Sequence, residues 1–123
     1  MRRVFIFLTI VMGLSLGLAP APAAAETVTD CQALITTLQQ ETQAATFTGA
    51  NADTDRAGLL GKLADAQTKL SEGKFTDAIG KLTDFRDKVA TLSAQGKLDP
   101  TDAATLEAGA DAAIACIQSL ITV

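Results

Sequence analysis

The chain has 123 residues, 14 acidic against 10 basic for a formal net charge of -4, with 48% hydrophobic and 4% aromatic residues and no His, Trp or Tyr. That length suits one domain. Without imidazole, the commonest general base, the usual zinc ligand and the Ser or Cys triads built on His are all absent. The composition therefore argues against an enzyme, and no cofactor motif stands out.

The chain opens with Met1, Arg2 and Arg3, continues as an apolar run from Val4 to Ala19, and then reads Pro20-Ala21-Pro22-Ala23-Ala24-Ala25-Glu26. A positive end, an apolar core and a small-residue site are the parts of a secretory signal peptide. The run is about 16 residues, short of the roughly 20 that a spanning helix needs, and Pro20 and Pro22 interrupt it. Residues 1–25 are thus expected to be a signal peptide cut after Ala25, which predicts export to the periplasm or medium with no stable membrane anchor. The first cysteine, Cys31, stands too far from the apolar core for a lipoprotein site.

Cleavage takes Arg2 and Arg3 and leaves residues 26–123, with 8 basic against 14 acidic side chains. A net acidic chain without a basic run or aromatic platform does not have the electrostatic footprint of a nucleic-acid binder. It also has no cationic face for anionic lipid. Cys31 and Cys116 remain near the two ends of the mature chain, and an even pair in a small exported domain reads as a disulfide. A redox-active pair would want C-x-x-C spacing or an activating His, and neither is present. The chain-entropy model gives such a long loop about 4 to 5 kcal/mol of stabilisation.

Helical spacing recurs along residues 26–123, and alternating strand patterns do not. The first helix is expected from Thr29, with Gln32 completing a capping box and Val28 as a staple. Cys31, Leu34, Ile35, Leu38 and Ala45 share one face, and Thr36, Thr37, Gln39, Gln40, Thr42 and Gln43 form an uncharged polar face opposite. Residues 48–55 read as a loop of Gly, Asn and Asp. The second helix then turns Ala57, Leu60, Leu63, Ala64, Gln67 and Leu70 inward and stops at Gly73, which supplies a left-handed end.

The third helix has the strongest periodicity, with Phe75, Ala78, Ile79, Leu82, Phe85, Val89 and Leu92 three or four residues apart, and it ends at Gln95-Gly96. Asp99 then caps a fourth helix, Pro100 fits its first turn, and Asp102 complements the dipole. Its inward residues are Ala103, Leu106, Ala110, Ala113, Ile114, Ile117 and Ile121. Short connections make sequential neighbours antiparallel. The expected fold is an all-α, up-down-up-down four-helix bundle in which Cys31 and Cys116 lie side by side.

Residues 54–121 resemble the FIMAH domain of secreted bacterial proteins. The features are a Leu-rich helix with L-x-x-A at Leu63 and Ala66, the turn at Gly73, a helix with A-x-x-x-L-x-x-F-x-x-x-V at Ala78, Leu82, Phe85 and Val89, and the turn at Gly96 before an Ala-rich helix. The resemblance implies a helical, secreted accessory module without a catalytic role. The cysteine pair and a domain that stands alone depart from it. The same segment faintly resembles a tetratricopeptide helical pair, but no second copy follows at the period of about 34 residues that would build an array.

Asn51-x-Asp53-x-Asp55 has the alternating oxygen donors that open a calcium loop. Arg56 and Lys62 occupy the positions where an EF-hand needs Gly and Glu, so helix capping is the reading that remains. Asp65 and Lys69, Asp77 and Lys81, and Asp84 and Lys88 are spaced for exposed helical ion pairs. Asp84 and Asp87 lie too close to Arg86 and Lys88, on a solvated face, to serve as paired catalytic carboxylates. Phe75 and Phe85 are expected in the core. The functional expectation is a non-catalytic module that meets a protein or envelope component, and the alternative is a carrier holding a small apolar ligand between its helices.

Overall fold

The computed structural model describes residues 27–121, so the signal peptide expected over residues 1–25 lies outside the described residues. Four helices follow one another: α1 Val28–Ala44, α2 Ala52–Ser71, α3 Phe75–Ala94 and α4 Pro100–Ile121. Each packs on the next and α4 packs on α1, so the ring closes as an antiparallel bundle. The Cys31–Cys116 disulfide, with 5.7 Å between its Cα atoms, joins the start of α1 to the end of α4.

The start of α1 lies earlier than its spacing suggested. Thr27 is the cap: its hydroxyl accepts from the Asp30 N–H at 3.2 Å, and the Asp30 carboxylate accepts from the Thr27 N–H at 3.1 Å. Thr27-x-x-Asp30 displaces Thr29-x-x-Gln32 because a carboxylate accepts more strongly than an amide and also complements the helix dipole. Val28 is consequently the first helical residue. Cys31, Ile35, Leu38 and Thr42 are buried, and Leu34 packs at their edge. Thr42, assigned above to the polar face, is inside because its hydroxyl donates to the Leu38 carbonyl at 2.7 Å, which satisfies it without water.

α2 begins at Ala52, inside the segment expected to be a loop, and its buried face is Leu59, Leu63, Ala66 and Leu70. Ala57 and Ala64 are exposed, while Leu60 and Gln67 are half-buried. The adjacent Leu59 and Leu60 allow two registers. The one centred on Leu59 wins because it places small Ala66 inside, where a neighbouring helix can approach. α3 buries Ala78, Leu82, Phe85, Val89 and Leu92; Phe75 and Ile79 pack at the rim.

α4 buries Ala103, Leu106, Ala110, Ala113, Cys116 and Ile117. Ile121, expected inside, is 48% exposed. Cys116 already lies beside the first turn of α1, so the last turn of α4 runs past the end of its neighbour. α4 is the one helix among the described residues with the length and apolar content of a membrane span. Here it is a wall of the bundle, and it carries Asp102, Glu107 and Asp111. A Cβ on Gly109 would stand 2.6 Å from a Leu38 methyl, so α1 and α4 approach closely there.

At the end away from the disulfide, the α1–α2 and α3–α4 connections pair as a single antiparallel bridge between Phe47 and Leu98. The Thr48 N–H donates to the Lys97 carbonyl at 2.9 Å and the Asp99 N–H to the Thr46 carbonyl at 3.1 Å. Phe47 and Leu98 are both buried and close the core from below. Arg56 lies 4.9 Å from the Phe47 ring centroid, in the range of a cation–π contact, and donates to the Ala45 carbonyl at 3.1 Å. The cap expected at Asp99 forms, its carboxylate accepting from the Thr101 and Asp102 N–H groups at 3.1 and 3.2 Å. Gly73 and Gly96 adopt the left-handed φ values of 77° and 73° expected of helix-ending glycines.

Candidate functional site

A cleft of about 440 Å³ lies between α2 and α3, lined by Lys69, Thr76, Asp77, Gly80, Lys81 and Asp84. Lys69 comes from the last turn of α2, and the other five from the first ten residues of α3. Side chains at 77, 80, 81 and 84 share one face of a helix because the turn repeats every 3.6 residues. A second cleft of about 250 Å³ lies beside the Phe47–Leu98 bridge, with Thr46, Thr48, Ser93 and Asp99 among its lining residues.

The expected ion pairs do not close. Among the described residues the pairs are Arg56 with Asp53 at 3.3 Å, Lys74 with Glu72 at 3.5 Å and Arg86 with Asp111 at 2.6 Å. An exposed pair four residues apart gains only a few tenths of a kcal/mol, which two long side chains lose again in rotamer freedom. Arg86 instead reaches from α3 to α4. The Asp111 hydrogen bond and charge, with Asp87 and Glu107 adding smaller contributions, push its pKa up. Asp84 faces the cleft while its supposed partner Asp87 lies beside Arg86, so the two do not form a carboxylate pair.

Asn51, Asp53 and Asp55 make neither an ion loop nor the expected side-chain cap, since Asn51 holds the cap position without a side-chain hydrogen bond to the helix. Asp53 and Asp55 stand in the first turn of α2, where residues two apart point to different sides, and Asp53 is engaged by Arg56. Among the described residues no group of three or more His, Cys, Asp or Glu side chains is placed to hold a metal.

The polar face of α1 has a partner. Gln67 of α2 donates to the Thr36 hydroxyl and accepts from the Gln39 amide, both at 3.1 Å. Its backbone carbonyl accepts from Gln32, also at 3.1 Å. Thr36, Gln39 and Gln32 thus form a polar seam between α1 and α2, leaving Thr37, Gln40 and Gln43 exposed. The inward placement of Gln67 by helical spacing was the signal for this seam.

Glu41 lies close to the α1–α4 approach, its carboxylate oxygen 3.5 Å from where a Gly109 Cβ would be. Burial raises its pKa above the ordinary 4.5. The folded protein therefore holds this proton more tightly than the unfolded chain. The resulting stabilisation is complete below pH 4.5 and is lost as pH rises through the folded pKa. Glu41→Gln should remove this dependence, raising the thermal midpoint at pH 7 and leaving it little changed near pH 4. Melting curves at the two pH values check it, and equal shifts at both would show that burial of Glu41 costs nothing.

Thr76 and Gly80 were not singled out by the sequence, and Lys69 was read only as the helical partner of Asp65. The available signal was Gly80 itself, a glycine in the middle of the most strongly periodic helix. No protein-family model matches this chain, and no curated protein or solved structure is significantly similar to it.

Proposed function

We propose that residues 26–123 are an exported, non-catalytic interaction module that works at the cell envelope or outside the cell. The observation that carries this reading is the buried Cys31–Cys116 disulfide, since such bridges persist in oxidising compartments and secure small exported domains. The charged N-terminus and apolar run of residues 1–25 supply the matching export signal. A chain without His, whose charged side chains are mostly solvated, suits contact better than acid–base chemistry. The likeness to FIMAH domains supports an accessory role.

The alternative, a carrier of an apolar ligand between the helices, is less well supported. Ile35, Leu59, Leu63, Leu82, Phe85 and Ile117 are each fully enclosed in one core, and the cleft between α2 and α3 is open and charged. The test is recovery of the tagged, oxidised protein from its own culture envelope and medium, with mass spectrometry of the protein and of whatever accompanies it. A mature N-terminus at Glu26 and a stoichiometric protein or envelope polymer are expected. A stoichiometric apolar small molecule would favour the carrier, and retention of residues 1–25 on reduced protein would overturn export.

A further inference from the structure

The cleft between α2 and α3 combines two observations that packing within this chain does not explain. Gly80 sits in mid-helix, where glycine weakens the helix relative to alanine, yet nothing lies within 4 Å of the place its Cβ would take. Gly58 and Gly61 are equally open, but Gly80 is the one that lines this cleft. Around it stand two ammonium and two carboxylate groups, Lys69, Lys81, Asp77 and Asp84. None of the four takes part in an ion pair among the described residues, although Asp77 and Lys81 are spaced for one.

We propose that this cleft binds a small zwitterion of amino-acid or short-peptide type, its carboxylate on Lys69 and Lys81 and its ammonium on Asp77 or Asp84. A ligand with a single charge gains one pair of partners here and is opposed by the other. A ligand bearing both charges satisfies both signs. The spacing is of the right order: Lys81 lies four residues from Asp77 and three from Asp84 on α3, about 6 and about 4.5 Å at the helical rise, and a dipeptide spans roughly 7 Å between its ends. The missing Cβ at residue 80 leaves room for the ligand backbone between the charges. This assignment goes beyond the interaction-module reading and does not rest on it.

The experiment is an amide NMR titration of the oxidised protein with glycylglycine, with acetate and methylammonium as single-charge probes. Saturable shifts confined to residues 69–84 are expected with glycylglycine, at least about tenfold weaker with either single-charge probe, a difference of about 1.4 kcal/mol. Gly80→Leu, which fills the cleft and improves the helix, should keep or raise the thermal midpoint and abolish the shifts. Lys81→Gln, an independent surface change, should weaken them at least about tenfold. Absent or non-saturable shifts overturn the site. So do equal responses to acetate, or binding unchanged in Lys81→Gln or in folded Gly80→Leu.

Discussion

Replacing Cys31 and Cys116 together by Ser should lower the thermal midpoint by on the order of 10–25 °C. The bridge joins residues 85 apart in sequence. Its loss releases that long loop of the unfolded chain from its constraint, and the entropy the unfolded state gains costs about 2–5 kcal/mol of stability in comparable small secreted domains. In a domain of this size each kcal/mol shifts the midpoint by about 4–8 °C. The Ser hydroxyls add a burial penalty, because both cysteines are enclosed. The corresponding double Ala variant separates that penalty from the loss of the cross-link. Scanning calorimetry with and without reductant is the measurement: a midpoint that does not move in either variant would mean that the bridge holds no net stability.

The helices that were easiest to read are those whose apolar residues admit one register. In α3, Ala78, Leu82, Phe85, Val89 and Leu92 fall on one stripe and the adjacent Ile79 only widens it at the rim, so the buried face agrees with the spacing. In α2 the doublet Leu59-Leu60 offers two stripes about 100° apart, and the choice between them depends on neighbours far away in sequence. The helix ends behaved likewise. Asp99-Pro100 encodes the start of α4 in local chemistry, whereas Thr27 and Thr29 are rival caps, decided by which residue three positions on carries the carboxylate.

What the sequence could not place is tertiary. Phe47 and Leu98 lie outside the apolar stripes of the four helices, and they close the core only because two connections meet and exchange backbone hydrogen bonds. The polar face of α1 looked unpartnered because its partner, Gln67, lies on another helix. The cleft depends on the same kind of juxtaposition. Asp77, Lys81 and Asp84 were read as a solvated, self-paired surface, and only the approach of Lys69 from α2 turns that surface into a recess with unpaired charges of both signs. Charge spacing along one helix sets which pairs can form; how far neighbouring helices compete for the same side chains sets which do.

Phe85→Ala should reduce the unfolding free energy by about 3–5 kcal/mol, against a total of roughly 5–10 kcal/mol for a domain of this size. Phe85 is the largest of the fully enclosed side chains. The flanking helices α2 and α4 contribute Ala66, Ala110 and Ala113 to their buried faces. Alanine has no reach with which to fill the space a lost ring leaves, so part of the cavity stays open and adds to the lost transfer energy. Phe75, packed at the rim and partly exposed, can be replaced by water on one side, and Phe75→Ala should cost less than half as much. Denaturant unfolding of the two variants, with the slope checked for constancy, decides it. Equal losses would show that the bundle relaxes around position 85, and that its Ala-rich helices close up more readily than their close packing implies.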